Sequence, residues 1–330
     1  MLFGLNEAAV ATPAVATNLF NESYDFVAME QEMIVESARA WNKIQYMVGE
    51  ANCRLIHESI TNPEGLENLM EGVVGGFFKK VKEFFIKLKN MIVEVFQKFM
   101  MWLNSKIRDE KVFAEKYEKE LLDKIQALKE IEVKGYKYTH ITDEIPSLPA
   151  SSTITINGDT AEAKKEDIDK TVAKFRGSCV GDNTKEVAGE DFTEELVKYY
   201  RDGEDSPVDI TIKSEDVKTI LNDLKSFSKD KSAVEKAKNK IEKELNDIVK
   251  ELNNTEKDLE KQDGKEKELK DVQLKIEALK DMSTNRNQAF AAKIAAIKDR
   301  ANFGKKVLLA VKSAKKENNS TIGGLFSMNI

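Results

Sequence analysis

Cys53 and His57 stand four residues apart in a stretch with helical patterning, and a helix would turn thiol and imidazole to the same side. Such a pair could be half of a metal site, or a nucleophile beside its base. The sequence offers no third member. Its two cysteines are Cys53 and Cys179, and its two histidines are His57 and His140. A centre built from histidine and cysteine needs three or four converging ligands. A reactive thiol needs an activating environment, for which nothing in the pattern speaks. The acidic pairs Asp143-Glu144 and Glu194-Glu195 read as loop and helix-start charges rather than as general acid and base. Gly72, Gly75 and Gly76 follow no strand and precede no Lys-Ser/Thr, so they form no phosphate loop. The expectation is a chain without catalytic residue, metal or cofactor, that is, not an enzyme.

The composition points to long helices. Of 330 residues, 33% are charged and 41% hydrophobic, with only five prolines and sixteen glycines. Few helix breakers among many Lys and Glu argue against a β-sandwich or a collagen-like chain. A net charge of −6 gives no electrostatic ground for binding nucleic acid, so no sequence-specific nucleic-acid partner is expected. No apolar run approaches the roughly 18 residues that a membrane span requires. The first 38 residues carry six acidic side chains and no basic one, unlike an export signal with its positive start.

Five segments follow from the pattern: an arm over 1–22, long helices over 23–130, a small α/β insert over 131–213, a coiled-coil hairpin with a C-terminal helix over 214–315, and a tail over 316–330. An amphipathic helix is expected from Ser23 to about Ile60, and Pro63 suits the first position of the next one. Phe77, Val81, Phe84, Phe85, Leu88, Ile92, Val95, Phe96, Phe99 and Leu103 then recur at helical spacing, widened by Trp102. Residues 77–108 also hold eight basic and two acidic side chains, a net charge of +6. A basic, Phe-rich helix has the composition of one lying on a membrane surface. A helix apolar over most of its circumference is also what the centre of a bundle looks like, and the bundle is the expected reading.

In the insert, strands are expected at Tyr136–Ile141, Thr153–Ile156 and Val208–Ile212, and helices at Asp167–Arg176 and Thr193–Tyr200. Beyond Ser214, Ile241, Leu245, Ile248 and Leu252 form one heptad seam; Leu269, Val272, Ile276 and Leu279 form a second. Asp263-Gly264 separates them, which predicts an antiparallel hairpin, followed by a distinct helix from Gln288 to about Ala314. The fold class is mainly α: an elongated bundle of long amphipathic helices with a coiled-coil hairpin and a small α/β insert.

An acidic helix (FNESYDFVAMEQEMIVESARAW), a glycine-preceded FFKKVKEFFIKLKNMI block and then FAEKYEKEL succeed one another over about residues 20–125. This order resembles a module in virion structural proteins of large tailed bacteriophages, some of them internal head or ejected proteins. The resemblance implies a virion component made in the cytoplasm of the host bacterium, whose partners are other virion subunits or copies of itself. It supplies no functional residues. The alternative is a membrane-active protein, pore-forming or bilayer-binding, that uses the 77–108 helix for membrane contact.

Overall fold

The computed structural model describes residues 66–260 and 266–314, with side chains from 75 to 259 and from 270 to 314. The expected arm over 1–22, the helix of residues 23–60 and the tail over 316–330 lie outside them, as do Cys53, His57 and the Asp263-Gly264 break.

Among the described residues the chain is mainly helical. Helix α1 spans Leu66–Leu128, strand β1 Glu130–Gly135, and a single 3-10 turn Ser151–Thr153. Helices α2 (Ala161–Cys179) and α3 (Phe192–Tyr200) precede strand β2 (Val208–Lys213). Helices α4 (Ser214–Ser226), α5 (Ser228–Glu260) and α6 (Glu266–Ser313) complete the order.

No proline falls within the 63 residues of α1, so at 1.5 Å per residue the helix is about 95 Å long. It runs straight through Gly75-Gly76 and past Phe113 as one piece. Lys129, with φ of 71°, turns the chain out of the helix into β1. The two strands pair antiparallel, Ile131 opposite Ile212 and Val133 opposite Ile210.

Two expected strands are absent. The strand begins at Glu130, immediately after the helix, rather than at Tyr136, because Ile131 and Val133 already supply the alternation that β2 matches. Tyr136 and Tyr138 instead wall a cleft. Around Thr153 the Thr153 and Ile154 amides, which a ladder could use, donate instead to the Ala150 and Ser151 carbonyls at 3.0 and 3.2 Å, in a turn that the Glu251 carboxylate of α5 holds by accepting the Ser151 and Ser152 amides. The segment 154–156 therefore has no strand partner in the described residues.

Three long helices make the body. Lys82 meets Glu256, Lys89 meets Asn246 and Trp102 meets Phe227, so α5 runs antiparallel to α1. Lys298 lies over Trp102 and Lys305 beside Glu110, so α6 runs parallel to α1. Arg286 meets Glu244 and Arg300 meets Asp230, which makes α5 and α6 antiparallel. The hairpin thus exists, but its first arm packs most extensively along α1 rather than along its second arm. The expected separate C-terminal helix is instead continuous with the second arm, because residues 266–303 contain neither glycine nor proline. Helix α2 packs along α6 from outside the three-helix body, started by Thr160, whose hydroxyl accepts the Ala163 amide at 3.1 Å. A left-handed Phe227, φ 46°, joins α4 to α5.

Candidate functional site

The Phe-rich face of α1 is the most distinctive feature in the sequence, and folding places it inside. Phe77, Val81, Phe84, Phe85, Leu88, Ile92, Phe99 and Trp102 are buried, whereas Phe96 is only partly so, at the rim beneath Lys238 of α5. Neighbouring rings meet edge to face, Phe77 with Phe78 at 5.4 Å and Phe84 with Phe85 at 5.5 Å. Phe99 stacks on Trp102 at 5.9 Å, and Trp102 closes on Phe227 at 6.1 Å. The cations that give this segment its charge have local work. Lys82 donates to Asn253 and Glu256, and Lys89 to Asn246, all on α5. Lys80 pairs with Glu83 and Lys98 with Glu94 within α1 itself. Among the described residues no helix is long and apolar enough to cross a membrane. Ile86, Met101 and Val112 remain exposed on α1.

The heptad positions of α5, Ile241, Leu245, Ile248 and Leu252, are all buried. On α6, Ile276 and Leu279 are buried and Val272 partly so, while the side chain of Leu269 falls outside the described residues. Seam and Phe stripe belong to one continuous core.

The same core carries charge. Arg286, Lys293 and Arg300 recur at seven-residue steps along α6. Arg286 bonds Glu244, whose carboxylate also accepts the Leu148 amide at 3.0 Å. Lys293 donates to the Asp143 carbonyl at 2.7 Å, and Arg300 to the buried Asp230 carboxylate at 2.6 Å. Burial pushes the Arg286 guanidinium down to about 10 and the Lys293 ammonium to about 8. Burial raises the Asp230 carboxyl, against the pull of Arg300.

A polar cluster at the surface joins His140 and Asp143 to Tyr199, a residue the sequence did not connect with them. His140, left-handed with φ of 58°, directs Nδ1 at the Asp143 carboxylate, 2.7 Å away. The Tyr199 hydroxyl donates to the same oxygen at 2.9 Å, and its ring stacks on the imidazole at 4.3 Å. Burial works to raise the Asp143 carboxyl, but the hydrogen bonds from His140 and Tyr199 hold it below its ordinary value. An imidazole oriented by a carboxylate is half of a general-base arrangement. No hydroxyl or thiol bonds to this ring among the described residues. Cys179, the described thiol, is buried and pushed up to about 12, away from thiolate reactivity. The cluster clasps the loop after β1 to α3, with Thr139 donating its amide to the Tyr200 carbonyl at 3.1 Å. Only the His140–Asp143 spacing of three was visible in the sequence; Tyr199 arrives 56 residues later.

A cleft of about 280 Å³ opens where the loop after β1 meets α4 and α6. The rings of Tyr136, Tyr138, Phe227 and Phe303 wall it, with Asp223 and Arg300 among its polar groups. Gly135 lets the Phe303 ring lie against the strand, since a Cβ there would collide with it. Arg201 lies over the Tyr136 ring at 4.2 Å and pairs with Asp299 at 3.4 Å. No group of three or more His, Cys, Asp or Glu is placed to hold a metal ion among the described residues. Comparison with protein-family models, with curated proteins and with solved structures gives no match to this chain.

Proposed function

We propose that this chain is a non-enzymatic structural and interaction component of a tailed-phage virion, whose partners are other virion subunits or further copies of itself. The observation that supports a packing role is the fate of α1: its Phe stripe is spent on the chain's own core, and two of its cations, Lys82 and Lys89, meet an acid or amides of α5. Such a helix builds a long, stiff body instead of waiting for a bilayer. The phage assignment rests on the resemblance of residues 20–125 to virion proteins. Mass spectrometry of gradient-purified particles tests it. The chain should band with the particles at a fixed ratio to other virion proteins. Its recovery only from host lysate would end this reading.

The alternative, a membrane-active protein, pore-forming or bilayer-binding, draws on the net charge of +6 over residues 77–108 and requires the Phe stripe to leave the core. Leakage from anionic liposomes on addition of folded protein would favour it.

A further inference from the structure

Residues 283–288 read Ser-Thr-Asn-Arg-Asn-Gln, six polar side chains in succession at the centre of α6. Four of them are buried: Ser283 and Arg286 are 0% exposed, Asn287 2% and Asn285 7%. Ser283 and Asn287 belong to the stripe Ile276, Leu279, Phe290, Ile294 and Ile297, where the remaining positions are apolar and buried. A buried polar atom forfeits its bonds to water and recovers them only through a protein partner.

Here the recovery is incomplete. Ser283 Oγ, Asn285 Nδ2, Oδ1 and Nδ2 of Asn287, and Nε and Nη2 of Arg286 are buried without a hydrogen-bond partner among the described residues. Neighbouring Thr284 shows the contrast, since its hydroxyl donates to the Lys280 carbonyl at 2.9 Å. Arg286 is met by Glu244 through Nη1 alone. These atoms lie where α6 runs among α1, α2 and α5. Any parting of α6 from these neighbours returns the orphaned atoms to water, so less is lost there than at the apolar layers above and below.

We propose that Ser283, Asn285, Arg286 and Asn287 form a weak layer at which α6 parts from its neighbours, so that the body opens there ahead of global unfolding. The inference is independent of the proposed function. A native reporter is in place. Cys179, at the end of α2, is 5% exposed and close enough to Arg286 for the two to interact electrostatically.

Alkylation of Cys179 in the full chain, followed by peptide mass spectrometry that separates it from Cys53, measures the opening directly. In the native protein Cys179 should react at least tenfold faster than global unfolding allows, with a weaker dependence on denaturant. Ser283→Ala with Asn287→Leu, which keeps the branched shape at position 287, should raise the thermal midpoint and slow alkylation at least tenfold. Native Cys179 reacting only at the global unfolding rate would overturn the proposal, and this arm needs no variant. A double variant with unchanged or lower midpoint would overturn it as well. So would a raised midpoint with alkylation unslowed, because the layer would then not be where the body opens.

Discussion

Helices α1 and α6 run side by side through one core, yet they bury different chemistry. On α1 a stripe from Phe77 to Leu103 is aromatic and aliphatic, and its cations reach outward to α5 or to their own helix. On α6 the middle is covered on nearly every side, and Ser283, Asn285, Arg286, Asn287 and Lys293 go under with the apolar residues. The difference separates two tasks. The α1 stripe supplies burial energy, which is large and indifferent to register. The α6 polar groups are net costs unless matched, and each matched pair, Arg286 with Glu244 or Arg300 with Asp230, fits only one alignment of the helices.

The largest expected effects fall on the α1 side. Phe85→Ala or Phe99→Ala should cost about 3–5 kcal/mol in denaturant unfolding. Phe96→Ala should cost clearly less, because that ring sits at the rim. Equal losses at all three positions would break the distinction between core and rim.

A comparable loss is expected from unpairing the other helix. Glu244→Ala leaves Arg286 buried without its acid and removes the acceptor of the Leu148 amide, so stability should fall by about 3–5 kcal/mol. Glu244→Met with Arg286→Met should recover most of that loss. A double variant as unstable as the single one would show that the pair itself contributes energy, contrary to the contrast drawn here.

Lys293 sharpens the comparison through pH. Burial takes its ammonium from the ordinary 10.5 down to about 8, against the attraction of Asp143, Asp230 and Glu144 and with Lys236 nearby. Between those values the unfolded chain binds the extra proton, so this group's contribution to stability is complete above 10.5 and is lost as pH falls through about 8. Lys293→Met should therefore stabilise most at neutral pH. Its advantage should shrink by about 1 kcal/mol per pH step above 8. A constant difference across that range would contradict the assignment.

The smallest effect tests the N-terminal part of α1, ahead of its apolar stripe. Gly75 and Gly76 lie inside α1 with nothing within 4 Å of an added Cβ. Gly75→Ala should raise stability by about 1 kcal/mol or less, read as a shift of the denaturation midpoint at unchanged slope.

How much of this was legible follows from the same contrast. The α1 stripe announces itself because every third or fourth residue is large and apolar, and the heptads of α5 do likewise. The burial of residues 283–288 of α6 has no such signature: Ser-Thr-Asn-Arg-Asn-Gln reads as a solvated face, and only the packing of α1, α2 and α5 around that helix submerges those side chains. The missing strand at Thr153 depends on Glu251, about a hundred residues away, holding the Ser151–Thr153 turn by its amides where a local pattern expects extended chain. The His140 clasp likewise needs Tyr199 from α3. Patterns within one helix were readable, and meetings between distant polar side chains were not.

The central claim is that the Phe stripe of α1 is interior to its own chain. Hydrogen exchange of the full chain, with and without anionic vesicles, tests it most directly. Peptides covering residues 77–103 should be among the slowest to exchange in solution, and vesicles should leave them unchanged. Rapid exchange of those peptides in solution, with protection appearing only when vesicles are added, would contradict the claim.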